Sequence, residues 1–237
     1  MSSATRLSYE LKTIVARSQA ALPIQRLRRR GEILGPDTEI VIESFPRCAS
    51  SFAVAAFRLA QEPHASRIAH HTHAPAQVLA AVKRGVPTLV LLREPEEAVL
   101  SHVIYTPGLT PAVSLRGYIR FHEPLLPYRD GFVVGLFEEV VSDFGAVIER
   151  VNARFGTAFR PFEHRPEHLA RIDREIEEDY RSRARSPEQL ARTVPLPSEE
   201  RRLLKERLRA AYRDTPERLR RRAEAAYEAL RAEALRS

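Results

Sequence analysis

The stretch at residues 39–52, EIVIESFPRCASSF, narrows the possible folds more than any other part of the chain. Ile40, Val41 and Ile42 form a short apolar β-branched run, the mark of a buried central strand. Pro46 cannot donate to a ladder, so pairing should end near Phe45. Residues 53–59, AVAAFRL, then resume as a helix former. Strand, tight polar loop and helix in succession aim loop amides and a helix N-terminus at one point, which suits a phosphate or sulfate. Arg47 adds a planar fork for an oxyanion, and Ser50 and Ser51 add hydroxyl donors. The loop is not the nucleotide-triphosphatase version, GxxxxGKS/T: it has no Lys, and neither glycine is in place.

Downstream, strand and helix signals alternate. Residues 66–73 (SRIAHHTH), 87–92 (PTLVLL) and 132–137 (FVVGLF) read as strands. Residues 75–83 read as a helix opened by Pro75 and closed by Gly85. A second helix opens at Pro95, with Glu96 and Glu97 where the helix dipole favours acids. Two more follow at 112–126 and 141–155, the last ended by Gly156. This alternation predicts a three-layer α/β fold with a central parallel sheet. Such sheets bind ligands at the carboxyl ends of their strands. Arg47, His73, Arg93 and Glu138 all lie just past strand ends.

The flanks read differently. Leu7, Leu11, Ile14 and Val15 recur at helical spacing, giving an amphipathic helix over 9–21, followed by Arg26, Arg28, Arg29 and Arg30. This arm is expected to pack on its own domain, with contact to an acidic membrane as the alternative. Beyond Pro161 come a helix at 167–181, an arginine-bearing loop or lid at 182–197, and charged helices at 198–212 and 215–235. The last is entered through Thr215 as N-cap and Pro216 as first residue. Leu219, Ala223, Ala226, Tyr227 and Leu230 line one of its faces. The expected division is an arm at 1–35, an α/β core at 36–160 and a helical C-terminal extension at 161–237, packed on the core.

The formal net charge is +7, and Lys occurs only at Lys12, Lys83 and Lys205, so nearly all positive charge is arginine. That balance favours anionic partners: nucleic acid, acidic lipid or a polyanionic cofactor. Cys48 is the only cysteine, which excludes disulfides within the chain and fits a reducing cytoplasm. The opening MSSATRLSYELK lacks the layout of a secretory signal. No run of about eighteen apolar residues marks a spanning helix. The expected home is the cytoplasm.

Residue for residue, SFPRCASSF resembles the 5′-phosphosulfate loop of sulfotransferases that use 3′-phosphoadenosine-5′-phosphosulfate (PAPS). That pattern is roughly S/T-Y/F-P-K/R-S/T-G-S/T-S/T-W/L/F. Ser44, Phe45, Pro46, Arg47, Ser50, Ser51 and Phe52 fit it; Cys48 and Ala49 depart from it. Ala49 replaces a Gly that takes positive φ cheaply. Residues 92–101, LREPEEAVLS, are similar to the family's 3′-phosphate motif, R-N/D-P-x-D/E-x-x-x-S. Arg93, Pro95, Glu97 and Ser101 match in register, with Glu94 for Asn or Asp. Residues 71–75, HTHAP, look like K-T-H-x-P with His71 in place of Lys. Phe137, Glu138, Glu139 and Val140 resemble Y-E-D-L, whose acid would orient a site arginine. The family's Gly-rich closing signature is missing. The 181–192 loop would substitute for it, through Arg181, Arg183, Arg185 or Arg192.

The resemblance, which spans residues 39–155, implies a P-loop-type fold and sulfuryl transfer from PAPS to a hydroxyl or amine of a small-molecule or saccharide acceptor. It implies that Cys48, Ala49, Ser50, Ser51 and Phe52 hold the 5′-phosphosulfate, with Phe52 near the adenine. Arg93 and Ser101 would hold the 3′-phosphate. Arg47 would meet charge on the leaving group, and His73 would be the general base, with His71 and Glu43 as alternates. No metal and no nucleic acid are expected. Two other readings stay open: a P-loop kinase of nucleotides or small molecules, and a non-enzymatic basic module for nucleic acid or membrane.

Overall fold

A computed structural model of the chain describes residues 3–19, 22, 32–194 and 199–236. Arg26, Arg28, Arg29, Arg30 and the end of the 182–197 segment lie outside the described residues. Four strands, β1 (Ile40–Ser44), β2 (Ile68–His70), β3 (Thr88–Leu92) and β4 (Val133–Leu136), form one parallel sheet in the order β2-β1-β3-β4. The expected α/β architecture is therefore the one observed. β1 and β3 are buried along their whole length, which is why their sequences show no polar alternation.

Crossovers between parallel strands are right-handed. The chain moves one way from β1 to β2 and the other way from β2 to β3, so the connecting helices fall on opposite faces. α2 (Ser50–Gln61) covers one face; α3 (Pro75–Lys83) covers the other and packs near α5 (Pro111–His122). The reversal leaves a crevice between the carboxyl ends of β1 and β3, where an open parallel sheet takes its ligand. α4 (Pro95–Tyr105) rises from that end of β3.

Several boundaries differ from the sequence reading for local reasons. The helix expected at 141–155 is two: α6 (Phe137–Ser142) and α7 (Phe144–Phe155), divided at Asp143, whose carboxylate accepts from Ala146 N at 3.2 Å. The lid segment contains a short helix, α9 (Pro187–Thr193), capped by Ser186 and following α8 (Pro166–Arg183). α10 (Glu199–Arg213) and α11 (Glu217–Ala234) return to the core, α10 against α4 and α11 against α5 and β4. Thr215 does not cap α11; its hydroxyl donates to Tyr212 O at 2.7 Å, and Pro216 stands at the cap position. Ala223, Ala226 and Leu230 are buried and Leu219 and Tyr227 pack beside them, as their spacing predicts. No described helix is long and apolar enough to cross a membrane.

The N-terminal helix α1 (Ser3–Val15) packs on α5, but through the face opposite to the one its sequence suggests. The contact is made by Tyr9, Glu10 and Thr13. Glu10 accepts from Arg116 Nε at 2.6 Å and from Arg120, and Arg120 Nη1 also donates to Thr13 Oγ1 at 3.0 Å. Gly117 makes room for the Tyr9 ring: a Cβ there would lie 2.2 Å from Tyr9 Oη. Gly117→Ala should therefore dislodge α1 and destabilise the protein by about 1–3 kcal/mol, the usual cost of overpacking. Limited proteolysis should cut residues 3–19 faster in the variant, and a wild-type cleavage rate would contradict this seating of Tyr9.

Candidate functional site

After β1 the chain must turn within residues 45–49 to start α2. It does so with two residues in the left-handed region, Arg47 at φ 72° and Ala49 at φ 66°. For a residue with a Cβ this costs about 1–2 kcal/mol. The departure seen at Ala49 in the sequence is thus a physical one: the backbone makes the turn that Gly would make more cheaply. The first helical bond of α2 runs from Ala53 N to Ala49 O at 2.9 Å. The amides of Ser50, Ser51 and Phe52 precede it and have no intrahelical acceptor. Cys48 is wholly buried, and burial pushes its thiol up to about 12. It contributes backbone and packing rather than a thiolate.

Arg93 leaves β3 beside this turn and points at it. Its Nη1 donates to Arg47 O at 3.0 Å, its guanidinium lies 3.7 Å over the Phe137 ring, and Glu97 is 3.7 Å away. Glu94 takes the N-cap of α4, accepting from Glu96 N at 2.9 Å and Glu97 N at 2.8 Å, a role that short polar residues usually fill. Arg47 stacks 5.0 Å over Tyr105 and donates from Nε to Ser101 Oγ at 3.2 Å and from Nη1 to Thr193 O at 3.1 Å. Arg201, on α10, also donates to Ser101 Oγ at 3.2 Å. Two guanidinium groups thus share one hydroxyl oxygen, with Arg93 close by. Burial first, and then Arg47 and Arg93, pull the Arg201 guanidinium down to about 10. Burial also lowers Arg47.

Arg201 escapes the sequence reading, which assigns the closing role to 181–192. On that segment Arg181 pairs with Glu177 at 2.5 Å and Arg183 with Asp179 at 2.6 Å, both along α8. Arg183 lines the cavity; Arg181 and Arg185 do not. A signal for Arg201 is present in retrospect. Arg201, Lys205 and Arg209 recur every fourth residue on one face of α10. Lys205 reaches Glu97 at 2.5 Å, and Arg209 reaches Glu96 and, at 2.8 Å, Glu97. The pairing of this stripe with the acids that open α4 sets the position of Arg201.

The histidine segment is held by Glu43, a wholly buried acid on β1. Its carboxylate accepts from Thr72 N (2.9 Å), Thr72 Oγ1 (2.7 Å), His73 N (3.0 Å) and Gln77 Nε2 (2.9 Å). These bonds brace a turn in which His71 and His73 both have positive φ, 57° and 51°. His73 Nδ1 lies 2.8 Å from Ser44 O; a carbonyl accepts only, which assigns the proton to Nδ1 and the neutral ring's lone pair to Nε2. Burial, with His70 and His73 nearby, pushes His71 down to about 3, so that ring is neutral. Ser51 Oγ stands 3.4 Å from both His71 Nε2 and Tyr180 Oη.

Arg47, Ala49, Ser50, Ser51, Phe52, His73, Arg93 and Ser101 all border one cavity of about 1870 Å³. Phe52 meets it from a cluster with Phe144, Phe162 and His164. Tyr9, Lys12, Thr13 and Arg120 also line it. Glu138 is exposed and does not border it; the acid that pairs with an arginine there is Glu139, with Arg150 at 2.6 Å. Among the described residues no group of three His, Cys, Asp or Glu side chains is placed to hold a metal ion.

Two measurements test this local physics. Ala49→Gly should raise stability by about 1 kcal/mol, because it removes the left-handed penalty; a loss of stability would refute the positive φ at residue 49. Burial pushes the Glu43 carboxyl up to about 7 from its ordinary 4.5, against the pull of Thr72, His73 and Ser44. A raised carboxyl binds its proton more tightly folded than unfolded, so this contribution is present below 4.5 and lost as pH rises through 7. The wild type's unfolding free energy relative to Glu43→Gln should fall by about 2 kcal/mol from about pH 5 to about pH 8. A difference that grows with pH would mean that the donors, not burial, dominate.

No family model matches the chain, and no curated protein matches it. Among solved structures it is similar to mouse sulfotransferase SULT7A1 complexed with PAP, at 12% identity and a TM-score of 0.43, over 88% of this chain and 95% of that one.

Proposed function

We propose that the chain is a sulfotransferase that moves the sulfuryl group of PAPS to a hydroxyl or amine of a small-molecule or saccharide acceptor. The observation that carries this reading is the convergence of Arg47 and Arg201 on Ser101, with Arg93 bonded to Arg47 O close by, next to the α2 amides that have no intrahelical acceptor. Concentrated cationic charge of this kind fits a ligand with separate anionic ends. The amides and hydroxyls of residues 48–52 suit a 5′-phosphosulfate, and Arg93, Ser101 and Arg201 suit a 3′-phosphate. Phe52 offers an edge of apolar surface for the adenine between them.

When bound, PAPS supplies the sulfuryl group. Arg47 meets the negative charge that grows on the departing phosphate, a preorganised donor of a kind that contributes about 3 kcal/mol. His73 accepts the acceptor's proton at Nε2 while its Nδ1 stays on Ser44 O. Glu43 is the positioning group behind it, since it holds the backbone of residues 72 and 73. His71 as the base is disfavoured by its depressed proton affinity.

Isothermal titration should show adenosine 3′,5′-bisphosphate binding more tightly than ATP with magnesium. Arg93→Ala and Arg201→Ala should each weaken the bisphosphate by about tenfold to a hundredfold, the value of a charged hydrogen bond. With any acceptor that turns over, His73→Ala should lower kcat by about 10²–10⁴ with little change in bisphosphate affinity. Tighter binding of magnesium ATP would overturn the assignment in favour of phosphoryl transfer.

A further inference from the structure

An amphipathic helix ordinarily buries its apolar face and shows its polar one. α1 does the reverse. Its seam with α5 is polar, made by Glu10, Arg116, Arg120 and Thr13 around the Tyr9 ring. Leu7, Leu11, Ile14 and Val15 are 62%, 54%, 52% and 51% exposed. Their spacing, with offsets of four, seven and eight residues, places them on one side of the helix.

The borders of this stripe are charged with one sign. Arg6, Lys12 and Arg17 are exposed; at about 100° per residue Arg6 falls on one border, where its Nε also donates to Gly108 O at 3.3 Å, and Lys12 on the other, while Arg17 follows just past the end of the helix. Glu10, the one acid among residues 3–19, is turned inward to Arg116 and Arg120. An apolar centre between cationic borders is the profile of a helix that lies in the interface of an anionic bilayer. A second copy of the chain suits it poorly, because two-fold pairing of α1 with α1 would bring like charges together. The same helix borders the cavity through Tyr9, Lys12 and Thr13, and Ala16 just beyond it does so too.

We infer that α1 docks the molecule on an anionic lipid surface, with Leu7, Leu11, Ile14 and Val15 at the acyl boundary and Arg6, Lys12 and Arg17 among the headgroup phosphates. Docking in this pose sets the α1 wall of the cavity against the membrane, where acceptors with a lipid tail are presented. The inference does not depend on the identity of the transferred group.

Vesicle co-sedimentation tests it, with phosphatidylcholine alone and with about one third phosphatidylglycerol. The full chain should bind the anionic vesicles and be released by salt. The triple variant Leu7→Ser, Leu11→Ser, Ile14→Ser should lose about tenfold or more in partitioning. Its thermal midpoint should stay at the wild-type value, because the seam with α5 is untouched. Arg6→Gln with Arg17→Gln should lower binding to the anionic vesicles only. Unchanged partitioning in the triple variant would overturn the inference, as would equal binding to both vesicle types. So would a wild-type dimer in sedimentation velocity that the triple variant dissolves, since a second copy would then be what covers the stripe.

Discussion

The arrangement of the site depends on the hydrogen bond from Arg93 Nη1 to Arg47 O at 3.0 Å. It ties the turn after β1 to the start of α4 across the crevice that strand order creates. β1 and β3 are hydrogen-bonded neighbours although β2 lies between them in the chain. Each leads into one of the two loops proposed to hold the anionic ends of the ligand. With Arg93 engaged at one end by the turn's backbone and stacked on Phe137 at 3.7 Å, its guanidinium has little freedom left. The rotamer entropy is lost on folding rather than when a ligand arrives, which is the physical content of preorganisation. The left-handed residues 47 and 49 belong to the same bargain: backbone strain persists where surrounding contacts over-determine it.

Burial is the second constraint, and it acts oppositely on acids and bases in the same few ångströms. Glu43 is pushed up to about 7 while His71 is pushed down to about 3. Both shifts favour the neutral forms, His71 far more completely than Glu43 at neutral pH. Positive charge is concentrated instead on Arg47, Arg93 and Arg201.

The fold was legible because local signals agreed with one another. The β-branched run at 40–42, the uniformly apolar 88–92 and the Pro-opened helices at 75 and 95 each named their element, and the observed bounds differ by a few residues. The two loops of the candidate site were legible because their residues are local: Arg47, Ser50 and Ser51 sit within one turn, and Arg93 and Ser101 on one strand-to-helix junction. What stayed hidden was set by distant partners. Arg201 meets Ser101 across a separation of 100 residues, and the stripe it shares with Lys205 and Arg209 shows a common face without showing what that face meets, whereas Arg202 pairs along α10 with Glu199 and Glu206. The inward turn of Glu10 depends likewise on Arg116 and Arg120. From sequence alone the apolar stripe of α1 was the natural face to bury, and only this remote ion pairing reverses it.

The scarcity of lysine takes on a local meaning at this site. Lys12, Lys83 and Lys205 are the only lysines among 38 basic residues. An ammonium buried beside two guanidinium groups would be driven toward its neutral form, since lysine starts near 10.4 and burial lowers it by several units. Lys205 is lowered by burial even with Glu97 at 2.5 Å to hold its proton. Arg201, nearby and beside Arg47 and Arg93, is lowered to about 10 and still carries its charge at neutral pH. Arginine at residue 47 is therefore more than a substitute for the lysine its loop could have carried. Stacked on Tyr105 and donating to Ser101 and to Thr193 O, its planar fork makes several directed contacts at once that lysine's single ammonium would not make.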